Sequence, residues 1–545
     1  FEVYKERDHT VTTADEVLKS LNKEAPQING NKIVLPAVPD GFEISLYGCD
    51  NKQVVAMDGT ITRPLEDMDI NVLYQVKNLN DETDIAYSEA DINFIVPGAY
   101  NKEESINAKP NVMPGLREWK GNEGEFTLSK NSKIVVKDAS LEATAKQIQF
   151  YLKEMIKHEL EIVTSGEKSG DIVLVKDGSV DNLGKEGYTL AIDDMIEIKS
   201  NYETGILYGG ISITQMISQN DGMNNVAKGL ARDYPKYEVR AGMLDVARTY
   251  IPMEYLQEMT IYMAYYKLNE VQVHVNDYWG ATGYSAFRLE CDTYPMITAT
   301  DGSYTKEEYR QYQIDMKNYG INVITEIDTP YHAECFRNVP GVKMLKAGAL
   351  DIREQSSYDV IEAVLDEYLD GPNPVIQSDK FHIGTDEYDK SYSEQMRKWT
   401  DHFINYVNDK GYDTRLWGSL GSRGFNGTTP VSNDATVNLW APYWADVKET
   451  YDIINTCGGW LYIVPGANAG YPDRLDIASL YDKFDVNNFS PSRNAGQGTA
   501  IMPIAHPQTK GGQFCVWNDM TSYGGGFTWF DIYDRFIDAV MITSE

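Results

Sequence analysis

Residues 306–332 read KEEYRQYQIDMKNYGINVITEIDTPYH, and two rhythms share this stretch. Over 306–319, Tyr309, Tyr312 and Met316 recur at three- and four-residue spacing, which predicts a helix with one buried face. Beyond Gly320, residues 321–328 are β-branched and apolar, which predicts a strand, and this strand runs out into Glu326, Asp328 and His332. The same unit repeats on both sides. Strand-like segments fall at 239–247, 271–277, 321–328, 381–387, 414–419, 436–440, 460–465 and 512–519. Helical stretches lie between them at 253–268, opened by Pro252, and at 306–319, 358–369, 394–408 and 447–457, with a last one at 529–542. Eight strand-helix repeats over 235–545 predict a (β/α)8 TIM barrel, with a doubly wound open sheet as the alternative.

Two further regions precede the barrel. Residues 106–234 carry strands at 133–136, 171–175, 187–192 and 195–199 with helices at 142–158 and 203–217, an α+β layer pattern without a cluster of convergent polar groups. Residues 1–105 hold a short helical lead-in and short β-rich runs separated by Pro, Gly, Asp and Asn. That rhythm resembles the immunoglobulin-like β-sandwich repeats of bacterial surface proteins, and a spacer role is expected for it. The chain is thus read as multidomain.

Of 545 residues, Lys and Arg number 49 against 82 Asp and Glu, a net charge of -33 that repels phosphate backbones and anionic surfaces. Nucleic acid is excluded as an expected partner. No run of about 18 apolar residues is present, so membrane insertion is not expected either. The five cysteines are scattered and none has CxxC spacing, which leaves them as packing residues. Phe1 opens the chain without an initiator Met or a signal-peptide apolar run. The expectation is a monomeric fragment of a larger extracellular protein, secreted or attached to a bacterial surface.

In a (β/α)8 barrel the chemistry gathers where strands run into their following loops. Those positions hold Arg248, then Asp277, then Glu326, Asp328 and His332, then Asp386 and Glu387. The later strands end near Trp417, Trp440, Tyr471 with Asp473, and Trp517 with Asp519. Singly, each has a plain structural explanation: Arg248 can pair with Asp245 at the surface, the tryptophans can be core, and Asp386-Glu387 can cap a helix. Helix capping accounts for the acids and not for the ring of aromatics around them. Jointly they describe a polar pocket walled by rings, whose faces suit the CH face of a sugar while the carboxylates and Arg suit its hydroxyls.

The adjacent acids constrain the reaction. A glycosidase with an enzymic nucleophile needs carboxyl groups about 5 Å apart on opposite sides of the scissile bond, and an inverting enzyme needs them farther apart. Neighbouring residues, with Cα atoms about 3.8 Å apart, are poorly placed for that. If the substrate carries a 2-acetamido group, its carbonyl oxygen can attack the anomeric carbon, leaving one acid to protonate the leaving group and the other to hold the acetamido NH.

The segments Leu244-Asp-Val-Ala-Arg248, His274-Val-Asn-Asp277, Glu326-Ile-Asp-Thr-Pro-Tyr-His332, His382-Ile-Gly-Thr-Asp-Glu387 and Gln513-Phe-Cys-Val-Trp-Asn-Asp519 resemble, in order, the motifs of family 20 glycoside hydrolases, the β-N-acetylhexosaminidases. Glu186-Gly-Tyr-Thr-Leu and Glu203-Thr-Gly-Ile-Leu-Tyr-Gly resemble that family's accessory domain. The resemblance implies a retaining exo-glycosidase releasing terminal β-linked GlcNAc or GalNAc through an oxazolinium intermediate, with no metal or organic cofactor. It implies Glu387 as general acid/base and Asp386 as the residue that orients the acetamido group. Asp277 and His332 match the pair behind the acid, Arg248 the cation gripping hydroxyls, and Asp328 a buried acid of the same shell. Trp417, Trp440 and Trp517 match the rings around the acetamido methyl and the sugar face, and Tyr471 and Asp473 resemble the family's Tyr-x-Asp, with Asp476 as a rival for the acid.

Three positions depart from the family pattern: Thr385 replaces a usual Gly, Tyr331 replaces the Gly before the His, and Asp519 stands where a longer Glu binds the outer hydroxyls. The shorter Asp519 leaves open a lacto-N-biosidase or a 6-substituted-sugar-releasing enzyme. Other classes to be separated are a metal-dependent hydrolase using His274, His332, His382 and Asp386, and a non-catalytic glycan-binding protein.

Overall fold

A computed structural model describes residues 13–545 apart from 181, 220–221, 223, 280–282, 386, 419–423, 441–450, 468–469, 490–500 and 520–525. Its centre is a barrel of eight parallel strands: β1 (Val239–Asp245), β2 (Glu270–His274), β3 (Asn322–Thr329), β4 (Lys380–Gly384), β5 (Asp413–Trp417), β6 (Thr436–Leu439), β7 (Asp452–Asn455) and β8 (Thr509–Val516). Each strand pairs with the next, and β1 closes on β8 from Val239 opposite Gly511 to Leu244 opposite Val516. The closure removes the open-sheet alternative.

Burial on both faces explains the strand sequences. In β2, Val271 and Val273 join the apolar layer beneath the helices, while Gln272 and His274 occupy the alternate face, inside the barrel. The helices Met253–Tyr265, Lys306–Asn318, Gln355–Leu369 and Ser393–Asp409 follow the first four strands, and Trp529–Ser544 follows β8. Lys306–Asn318 begins where the Thr305 side chain accepts from the Glu308 N–H, and it buries Tyr309, Tyr312 and Met316 as its spacing predicts.

The seventh repeat differs from the sequence reading. The barrel strand is β7 at Asp452–Asn455, inside the stretch expected to be helical. The segment expected to be strand seven begins as the single helical turn Gly458–Leu461, followed by Tyr462–Ile463, which pairs with Cys515 and Val516 at the end of β8. The stretch is apolar because Trp460 and Leu461 enter the core, not because it crosses the barrel wall. Among the described residues no helix lies between β5 and β6.

Ahead of the barrel, a seven-stranded mixed sheet carries the paired helices Glu142–Ile156 and Glu203–Ser218. Its strands Glu118–Thr127, Glu161–Val163 and Asn225–Asp233 had no counterpart in the sequence reading. The sheet is fixed to the barrel by buried polar contacts. Lys267 Nζ donates to Tyr188 Oη at 2.9 Å, Ser212 Oγ at 2.7 Å and Asp233 Oδ2 at 3.1 Å.

The N-terminal region is smaller than the immunoglobulin-like sandwich expected for it. Its described residues form one four-stranded antiparallel sheet centred on Met68–Asn78, a two-stranded ribbon of Gln27–Asn29 and Lys32–Val34, and the helix Ala14–Ser20. Ile33 of the ribbon packs with Leu46, Ile70, Val72 and Phe94 of the sheet. The module also sits against the barrel: Asp91 accepts from the backbone N–H groups of Ile504 and Ala505. No helix among the described residues is long and apolar enough to cross a membrane.

Candidate active site

The carboxyl ends of the barrel strands converge on a cavity of about 170 Å³ lined by Arg248, Asp328, His332, Glu387, Trp440, Tyr462, Val464, Tyr471, Trp517 and Asp519. Strand order places these residues together: Arg248 follows β1, Asp328 ends β3, Glu387 follows β4, Trp440 follows β6 and Trp517 follows β8. Asp386, expected beside Glu387, lies outside the described residues.

The acid side of the cavity is a chain of contacts. Glu387 Oε2 lies 3.3 Å from His332 Nε2, and His332 Nδ1 lies 2.8 Å from Asp277 Oδ1. The other oxygen of Asp277 is 2.8 Å from both His274 Nε2 and Arg248 Nη2. Burial opposes charge on His332, yet the Asp277 and Asp328 carboxylates raise its pKa well above the ordinary imidazole value. Burial also opposes charge on Asp277, but Arg248 and His332 hold its carboxyl far below the usual range. Asp277 is therefore an anion that both holds the His332 ring and favours its protonated form.

Local backbone strain aims these groups. His332, Thr385 and Glu387 all have positive φ, at 60°, 75° and 43°. Such conformations in non-glycine residues are costly and cluster at functional sites. His332 follows the cis Thr329–Pro330 bond, and Asn276 Nδ2 donates to the carbonyls of Asp328 and His332, so the turn is fixed from the segment that follows β2.

Arg248 continues this chain of contacts on the β1 side of the cavity. It pairs with Asp245 as the simplest sequence reading has it, but inside the protein: Arg248 Nη1 donates to Asp245 Oδ2 at 2.8 Å, and the Asp245 side chain is fully buried. Asn518 N donates to the same Asp245 oxygen, tying β8 to β1 beneath the site. Asp519 Oδ1 stands 3.8 Å from Arg248 Nη2, and burial raises its pKa.

The aromatic walls form one cluster. Trp440 stacks on Tyr462 with 17° between planes, and Tyr462 contacts Tyr471 and Trp517 at 5.0 and 5.9 Å. Trp417 lies behind this wall, 5.6 Å from Trp517, with its Nε1 donating to Glu326 Oε1 at 2.5 Å. Tyr462 and Val464 were missed as site residues because they belong to the misread seventh segment. Asp473 does not line the cavity: Arg535 of the last helix donates to both of its oxygens at 2.7 and 3.0 Å. Its rival Asp476 caps the helix Ile477–Lys483, accepting from the Ser479 N–H.

His274, Glu326 and Asp328 offer ligand atoms within 4.8 Å of one another, a spacing that could hold a metal ion. Both His274 nitrogens already face carboxylates, Asp277 at 2.8 Å and Glu326 at 2.9 Å, and these raise its pKa well above the ordinary value against the effect of burial. With both nitrogens facing carboxylates, His274 is part of a buried ion network that links Asp277 to Glu326.

Comparison with known proteins gives two domain matches: residues 109–234 match the model described as glycosyl hydrolase family 20, domain 2, and residues 237–524 match glycosyl hydrolase family 20, catalytic domain. A lacto-N-biosidase of Bifidobacterium bifidum is 24% identical over 465 residues, covering 78% of this chain and 39% of that protein. A beta-hexosaminidase of Vibrio furnissii is 27% identical over 321 residues, covering 52% of this chain and 48% of that one. The chain thus spans less than half the length of either relative. Among solved structures, a mutant Streptomyces plicatus beta-hexosaminidase in complex with GlcNAc superposes with a TM-score of 0.64 at 17% identity, covering 81% of this chain and 92% of that chain. An exo beta-N-acetylglucosaminidase of Vibrio harveyi with N-acetylglucosamine gives 0.63 at 17% identity, covering 87% and 80%. At such identities the structural likeness speaks for the fold.

Proposed function

The chain belongs to glycosyl hydrolase family 20, and we propose that it is a retaining exo-glycosidase that removes a terminal β-linked N-acetylhexosamine, GlcNAc or GalNAc, by substrate-assisted catalysis. The observation that carries this reading is the placement of Glu387 in a ring-walled cavity, 3.3 Å from a His332 that Asp277 holds from behind. Glu387 is the acid that protonates the glycosidic oxygen and then the base that activates water. His332 steadies it in both states, since an imidazole ring held on one nitrogen keeps the other aimed at the carboxyl.

Asp386, next to the acid in sequence, is assigned to the acetamido NH, polarising the amide so that its oxygen closes on the anomeric carbon as an oxazolinium. Arg248 and Asp519, facing one another across 3.8 Å, are assigned to the outer sugar hydroxyls, and Trp440, Trp517 and Tyr471 to the sugar face and acetamido group. No step in this scheme calls for a metal or an organic cofactor.

One observation favours a second reading within the family. Asp519 is a methylene shorter than the acid usual at this position, and the B. bifidum relative is named a lacto-N-biosidase. A disaccharide-releasing enzyme needs such room at the outer end. The N-terminal module is read as a spacer, and the chain as a monomeric part of an extracellular, surface-attached glycan hydrolase; the net charge of -33 supports a partner that is neither nucleic acid nor membrane. The test of substrate assistance is Asp386→Asn: oxazoline formation from N-acetyl substrates is expected to collapse, and full activity would exclude this mechanism.

A further inference from the structure

Glu326 is a fully buried carboxylate near the end of β3 that the mechanism above does not use. Its two oxygens look in different functional directions. Oε1 accepts from Trp417 Nε1 at 2.5 Å, and Trp417 backs Trp517 in the cavity wall. Oε2 accepts from Gln272 Nε2 at 2.7 Å and lies 2.9 Å from His274 Nδ1, and the far nitrogen of His274 holds Asp277, which holds His332, which meets Glu387. A continuous line of contacts, each 3.3 Å or shorter, therefore runs from the general acid through two imidazoles and two carboxylates to the indole behind the sugar-binding rings.

We propose that Glu326 is a positioning residue that couples the acid Glu387 to the acetamido-side wall, so that acid alignment and acyl-group fit are set by one buried carboxylate. The proposal rests on the hydrolase reading and names a residue that reading leaves idle. Removing the charge of Glu326 deprives the buried His274 of one of the two carboxylates it faces. His274 also packs edge-on against Trp517 at 5.0 Å, a second link between the same two halves.

The test is Glu326→Gln, which keeps the size of the side chain but cannot accept from Trp417 and from Gln272 and His274 with two carboxylate oxygens. Two ratios are read: kcat/KM for N-acetyl against N-propionyl β-glucosaminides, and kcat/KM for dinitrophenyl against unactivated aryl leaving groups. Both are expected to move by an order of about tenfold, the first towards lost acyl discrimination and the second towards greater dependence on a good leaving group. Trp417→Phe, which removes only the indole donor, is expected to move the acyl ratio alone. If Glu326→Gln does not fold, the pair Trp417→Phe and His274→Gln serves instead: their effects on kcat/KM are non-additive if Glu326 couples them, and additive effects overturn the proposal. An active wild type whose Glu326→Gln variant keeps both ratios, or moves only the acyl ratio, overturns it while leaving the hydrolase reading intact. A wild type that cleaves none of these glycosides overturns both.

Discussion

Gly384, the last residue of β4, packs so tightly on Asp328 at the end of β3 that a Cβ on Gly384 would stand 1.9 Å from Asp328 Oδ1. Its φ of +74° is also one that glycine adopts freely. Gly384→Ala is therefore expected to lose about 3 kcal/mol, from overpacking and a left-handed backbone together, and to displace Asp328 from the cavity. Equilibrium urea unfolding and turnover on the same preparation check both effects.

Thr385 shows the opposite case. A β-branched residue at φ +75° is strained. Thr385 offsets part of this cost by donating its Oγ1 hydrogen to the Gly384 carbonyl at 2.6 Å. Thr385→Gly is expected to stay within about 1 kcal/mol of wild type, whereas Thr385→Val, which keeps the strain and loses the hydrogen bond, falls below it. The order of the two melting temperatures is the readout.

Arg248 separates binding from stability. Its guanidinium lies within 2.8 Å of the buried Asp245 and Asp277 carboxylates. Arg248→Ala leaves the buried Asp245 without its cation and Asp277 with its two histidines alone, and a loss of about 3–5 kcal/mol is expected. Arg248→Lys keeps a charge but not the fork, so it should retain more stability than activity.

At the other end of the barrel, Arg415 and Lys380 hold Glu270 between them, Arg415 Nη1 at 2.5 Å and Lys380 Nζ at 2.8 Å. Burial opposes the charge, but the two cations bring the Glu270 pKa down to about 2. The folded value lies below the unfolded one of about 4.3, so this stabilisation is complete above that pH and is lost as pH falls towards 2. Between pH 5 and pH 2 the wild type is expected to lose stability more steeply than Glu270→Gln, measured as unfolding midpoints across that window.

How much of this could be read from residues follows from where the signals are local. Strand ends such as Asp277, Asp328 and Glu387 stand out because polar groups there interrupt apolar runs, and the barrel geometry brings them together. The seventh strand hides because Asp452–Asn455 is four residues long, while the nearby Trp460 to Val464 run is more apolar and belongs to the core. Asp473 has the spacing of a site residue, but its partner Arg535 is on the last helix, beyond the reach of any local pattern. Glu326 is visible as a strand-end acid, yet its task depends on Trp417 and His274 from two other strands. Short strands and distant polar partners are tertiary facts, and they are what the sequence withholds.

The most direct test of the central claim is hydrolysis of p-nitrophenyl β-glycosides of GlcNAc, GalNAc and lacto-N-biose by the wild type and by Glu387→Gln. Release from at least one of the three is expected, with turnover by Glu387→Gln reduced about 10²- to 10⁴-fold, the share that a positioned acid supplies. Near-normal turnover in Glu387→Gln, or binding of these glycosides without release by the wild type, would contradict the account.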